Sequence, residues 1–171
     1  MEPAQAAVEL RNLAKHEAVK RAFLLSASIV LLVTGGAKLW SAFGDTKLLG
    51  VADPVVGMPF RHLLWAVGVV EMIVAVCCVY CKDSRPGLLL VSWLATNLVA
   101  YRLGLWWMDW HRPCNCLGNL TDALHISPQV ADNIMKAVLA YLLIGSYGLL
   151  IWRWRQNRAF QGQGVADVAT I

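Results

Sequence analysis

The chain has 171 residues, of which 58% are hydrophobic and 15% charged, and its mean hydropathy is +0.53. Soluble domains carry roughly a quarter charged residues, so the composition excludes an ordinary water-soluble domain and predicts one bilayer domain. The net charge of +4 matters less than where the basic residues sit, five cysteines leave an odd one and exclude a full disulfide framework, and no nucleic-acid partner is expected.

Residues 1–21 mix acids and bases around Val8, Leu10, Leu13 and Val19. An amphipathic helix on the inner membrane surface and a straight extension of the first span fit equally well. The segment is too long and too acidic for a signal-peptide n-region, and no small-x-small cleavage site follows, so the first span is expected to stay as a signal anchor. That span is Ala22 to Phe43, and the second is Leu63 to Cys81. The third runs from Gly87 to Met108. The fourth apolar run is Ile134 to Trp152, and Ser127-Pro128 before it, an N-cap followed by proline, starts its helix at 128 and carries it to about 155. Each run approaches the roughly 20 residues a spanning helix needs, and backbone groups in lipid must be satisfied within the segment. Residues 156–171 are rich in Gln, Gly and Ala and predict a mobile cytoplasmic tail. The fold class expected is all-α, a four-transmembrane-helix bundle over 22–155.

Arg11, Lys15, Lys20 and Arg21 precede the first span, Lys82 and Arg85 lie between the second and third, and Arg153, Arg155 and Arg158 follow the fourth. The other side has Lys47, Arg61 and Arg112, offset by Asp45, Asp53, Asp109, Asp122 and Asp132. The positive-inside rule predicts both termini in the cytoplasm of a multi-pass membrane protein. Trp40, Trp65, Trp106, Trp107 and Trp110 fall at the expected outer boundary, Trp152 and Trp154 at the inner one, and Trp93 inside the third span as a packing residue.

On the outer side stands HRPCNCLG, residues 111–118. In an oxidising compartment Cys114 and Cys116 can join in a disulfide, and one intervening residue makes a small ring whose departure from relaxed geometry raises its reducibility. Pro113 fixes the approach, Gly118 permits the following turn, and Arg112, with His111 when protonated, favours a thiolate. These features point to a redox-active pair. A loop clip without turnover is one alternative; a metal held by His111, Cys114, Cys116 and His125 is another, though that spacing matches none of the usual zinc patterns.

Lys38, Glu71, Arg102 and Lys136 are charged residues within the spans. At 1.5 Å per residue they fall roughly 6, 12, 8 and 3 Å below the outer boundary, all beneath the Cys-x-Cys loop. Glu71 is too short to snorkel, so it must pair, accept hydrogen bonds or hold a proton. Lys38 is its expected partner, with Arg102 second. Read as function, Glu71, Lys38 and Arg102 form a proton or ligand site; read as structure, they form an ion pair that fixes packing. Lys136 reads as a snorkelling anchor, Thr96 and Asn97 as interhelical hydrogen-bond formers, and Cys77, Cys78 and Cys81 as packing thiols.

Gly36-Ala37-Lys38-Leu39 late in the first span, Glu71 in the second, and Cys114-Asn115-Cys116-Leu117-Gly118 after the third together resemble the MauE/DoxX-type redox-associated membrane proteins. The resemblance covers Ala22 to Trp152. The three cysteines of the second span depart from that family's pattern. The resemblance implies a four-helix bundle engaged in periplasmic thiol-disulfide chemistry with a thioredoxin-like partner. In the MauE branch it implies maturation of a disulfide-rich dehydrogenase in methylamine utilisation, and in the DoxX branch sulfur-compound oxidation coupled to quinone. The function expected is a membrane thiol-disulfide oxidoreductase using Cys114 and Cys116, tuned by Arg112 and His111, with a quinone near Glu71, Lys38 and Arg102. The rival is a non-enzymatic assembly subunit of a larger membrane complex, joined through small residues such as Gly145, Ser146 and Gly148. A transporter fits less well, since the chain has no internal repeat.

Overall fold

A computed structural model describes residues 3–44, 47–81, 83–109 and 127–168. It is all-helical: α1 spans Pro3–Ala42, α2 Phe60–Tyr80, α3 Ser84–Trp107 and α4 Pro128–Val168, with a short 3-10 turn at Lys47–Gly50. All four helices are long and apolar enough to cross a membrane, over Glu17–Ala42, Phe60–Tyr80, Ser84–Trp107 and Gln129–Gln156. Of the two readings of the first 21 residues, the structure has the extension, since α1 is continuous from Pro3. At the other terminus α4 runs on to Val168, through residues expected to be a mobile tail. No proline interrupts that stretch, so the backbone ladder continues.

Each helix contributes one stripe to a shared core. Leu24, Ala27 and Leu31 come from α1, Val74, Ala75 and Cys78 from α2, Leu88, Val91, Leu94 and Ala95 from α3, and Leu142 from α4. Their spacing of three and four is the period that puts side chains on one helix face. The fully buried alanines let the backbones approach, as bilayer bundles require. Buried hydroxyls close on carbonyls one turn back, Ser28 on Leu24, Ser92 on Leu89 and Ser146 on Leu143. The opposite faces carry Ile29, Val33, Leu89, Leu103 and Ile144 in the open, an apolar exterior suited to lipid rather than water. Trp93, expected to pack, is 57% exposed and lies on that exterior face. Gly145 lies against the Phe23 ring and Ser146 is fully buried, so both serve packing inside the bundle, whereas Gly148 faces open space.

The tightest packing joins α1 to α2. A Cβ on Gly35 would stand 3.1 Å from the Gly68 carbonyl oxygen, and one on Gly68 would stand 3.1 Å from the Gly35 carbonyl oxygen. Two glycines facing each other let the helices cross backbone to backbone. α3 pairs mainly with α4. Between α1 and α2 runs a compact connector: Ala52 and Pro59 form an antiparallel bridge, Gly57 takes φ +74° at the bend, and Asp53 N–H donates to Met58 O at 2.8 Å. Only Cys81 to Asp83 separate α2 from α3, so these helices run antiparallel. The α1 N-terminus, the α2–α3 turn and the α4 C-terminus therefore share one end of the bundle. The compact connector, the α3 C-terminus and the α4 N-terminus share the other.

Candidate functional site

Glu71 lies near the middle of α2, about 16 Å from its start at 1.5 Å per residue. The helix begins at Phe60 rather than Leu63, which sets Glu71 deeper than the apolar run alone suggested. Lys38 sits one turn from the end of α1, and side chains on a helix lean toward its N-terminus, which aims the lysine inward. Its Nζ lies 2.7 and 2.8 Å from the two Glu71 carboxylate oxygens, and Thr34 Oγ1 donates to Oε2 at 3.2 Å. Lys38 is 4% exposed and Glu71 1%. The Gly35–Gly68 crossing is one turn away on both helices, so close backbones and the ion pair share one face. Pairing of this kind lowers the cost of a charge inside the bilayer.

Arg102, the second candidate for Glu71, turns to α4 instead. Its Nη1 donates to Asp132 Oδ1 at 2.8 Å, and the other oxygen of Asp132 is 2.7 Å from Lys136 Nζ. The expected site of Glu71, Lys38 and Arg102 is thus two clusters, one on α1–α2 and one on α3–α4. Arg102 lies five residues before the end of α3 and Asp132 four residues after the start of α4, so their bond ties these two helix ends together. Lys136 is 61% exposed along its side chain and leans back toward the α4 N-terminus, as a snorkelling lysine does.

The neighbour of Arg102 makes a third link. The Tyr101 hydroxyl donates to Asp53 Oδ2. Asp53 is 1% exposed, and its other oxygen accepts the N–H groups of Val55 and Val56 at 2.9 Å each. Val55 packs over Gly104, where an added Cβ would lie 3.4 Å from either of its methyls. Consecutive residues of α3 thereby hold the α1–α2 connector on one side and α4 on the other.

Asp53, Tyr101 and Asp132 were not among the residues expected to form a site. Asp132 had a legible signal, an acid four residues before Lys136 on a helix. Asp53-Pro54 with Gly57 reads as a turn, but nothing local ties that turn to Tyr101. Thr96 meets the Tyr147 hydroxyl across helices at 3.0 Å, while Asn97 bonds within its own helix to Trp93 O at 2.8 Å. Cys77, Cys78 and Cys81 are free thiols, with Cys78 in the core and its Sγ 3.7 Å from Gly87 O. His111, Arg112, Cys114, Cys116 and His125 lie outside the described residues. Among the described residues no group of three or more His, Cys, Asp or Glu could hold a metal. No family model, curated protein or solved structure matches the chain.

Proposed function

We propose that this is a multi-pass protein of the bacterial inner membrane that exchanges electrons with a periplasmic thioredoxin-like protein through Cys114 and Cys116. One observation carries the reading: both cysteines fall in the connector from α3 to α4, and the helix ends bounding that connector are tied by the Arg102–Asp132 pair. A redox loop needs such a fixed base, because exchange depends on access to one particular sulfur. The basic residues Arg11, Lys15, Arg21, Arg85, Arg155 and Arg158 are exposed around the end that bears the termini, which favours the cytoplasm for that end and the periplasm for the connector. Arg112 and His111 favour the attacking thiolate. In each cycle the partner's two thiols become a disulfide as the Cys114–Cys116 disulfide becomes two thiols, so electrons and protons balance. A quinone taking two electrons and two protons to quinol would re-form the Cys114–Cys116 disulfide and close the cycle, with Lys38 and Glu71 as its candidate proton and binding groups. Maturation of a periplasmic enzyme, the role the MauE resemblance implies, is the downstream use.

A second reading, an assembly subunit of a larger membrane complex, draws on α4, where Ile144, Gly148 and Ile151 share an exposed face and Gly148 has nothing within 4 Å. Thiol alkylation on intact spheroplasts separates the two readings, using a variant with Cys77, Cys78 and Cys81 replaced by alanine and graded membrane-impermeant thiol buffers. Reversible interconversion of Cys114 and Cys116 well above about −300 mV supports the redox reading. A pair that resists every buffer is a clip and supports the assembly reading, while labelling only after chelation marks a metal site.

A further inference from the structure

Among the described residues the Arg102–Asp132–Lys136 cluster is unbalanced: two cations share one carboxylate. Its hydrogen bonding is incomplete as well. Arg102 Nη2 is buried and has no acceptor, while Nη1 is engaged by Asp132. Such a donor is costly to leave unmade, and the guanidinium is charged at any physiological pH. The nearby carboxylate of Asp53 offers no relief, because it is taken by Tyr101 and by two backbone N–H groups. The contrast with Lys38 and Glu71 is informative. That pair is closed on itself, with both carboxylate oxygens occupied, whereas among the described residues the α3–α4 cluster keeps one positive charge and one donor group in excess.

We infer that Arg102 and Lys136 form a binding site for a phosphate-type oxyanion at the α3–α4 end of the bundle. The ligand accepts from Arg102 Nη2 and draws on the ammonium of Lys136, whose side chain is 61% exposed. A guanidinium fork matches the oxygens of a phosphate, and the neighbouring ammonium adds a point charge. Arg102 stands about 8 Å inside the end of α3, a depth its side chain can span toward the interface. Trp106 and Trp107, both exposed on the next turn of α3, belong to the headgroup belt. The phosphate of an anionic phospholipid reaches this position from the bilayer, and a free anion reaches it from water. The inference is independent of the thiol chemistry and stands or falls without it.

The test uses the full chain in nanodiscs of phosphatidylcholine, alone or mixed with phosphatidylglycerol, with retained lipid counted by native mass spectrometry. A parallel arm adds inorganic phosphate at constant ionic strength to the phosphatidylcholine discs and reads thermal stability. The wild type is expected to retain phosphatidylglycerol in preference to phosphatidylcholine, and Arg102→Gln to lower that retention about tenfold, the equivalent of about 1.4 kcal/mol. Lys136→Gln lowers it less. Asp132→Asn raises it, because it removes a competing carboxylate; a purely structural ion pair would give no gain. Stabilisation by phosphate without lipid retention also supports the site and assigns its ligand to the aqueous phase. Equal retention by wild type and Arg102→Gln, together with no response to phosphate, overturns the inference. Where Arg102→Gln does not fold, Arg102→Lys decides: retention between that of wild type and background supports the fork, and unchanged retention overturns it.

Discussion

Glu71 is the residue on which the α1–α2 pairing depends most. Its carboxylate is fully buried against Lys38 and Thr34, and such pairs are poor sources of net stability yet expensive to break. Glu71→Gln or Lys38→Met, each leaving its partner without an opposite charge, is expected to lower unfolding stability by about 3–5 kcal/mol. The double variant Lys38→Met with Glu71→Met, which removes both charges, should recover most of that loss. Unfolding titrations in detergent measure the coupling, and strictly additive losses would contradict the pair. Lys38 as partner was readable from the sequence, because both residues lay in adjacent spans at compatible depths and Glu71 could not reach water. The bond from Arg102 to Asp132 was not readable in the same way. It depends on which face of α3 turns toward α4, and depth along a helix says nothing about rotation around it.

At the scale of elements, the α1–α2 crossing shows how two missing side chains position a charged pair. Gly35 and Gly36 are neighbours in sequence with opposite surroundings. A Cβ at Gly35 would press on the Gly68 carbonyl and Glu71 Cβ, both 3.1 Å away, while one at Gly36 meets nothing within 4 Å. Gly35→Ala is therefore expected to cost about 1–3 kcal/mol through overpacking at backbone that cannot yield. Gly36→Ala should be neutral or stabilising by up to about 1 kcal/mol through helix propensity. Paired unfolding measurements check the difference, and equal effects would mean that the crossing is looser than the distances require. The compact connector offers another test. Tyr101→Phe removes one bond to a buried carboxylate, worth about 1–3 kcal/mol, and should speed amide exchange across 51–60 while leaving the middle of α4 protected. Uniform acceleration throughout the bundle would instead mark Tyr101 as a general packing residue.

At the scale of the whole molecule, the bundle is two helical hairpins joined along α3. α1 and α2 are locked by glycines and an ion pair, and α3 and α4 are tied by Arg102, Asp132 and the Thr96–Tyr147 bond. Tyr101 fastens the first hairpin's connector to the second hairpin, and Phe23 with Ser26 meets Tyr141 lower down. The sequence by itself determined that the chain is helical and of membrane character, how many spans it has and roughly where they lie. Those properties follow from local composition: about 20 apolar residues in lipid can satisfy their backbone only as a helix. It also marked Lys38 and Glu71 as a pair, since lipid leaves an intramembrane carboxylate few choices. Only the tertiary structure decided that α1 is continuous from Pro3, that Trp93 faces outward, and that the expected three-residue site divides into two clusters. Helix rotation, crossing distance and the path of a connector are set by side chains from different elements packing together. Hydropathy along one chain carries no record of that packing.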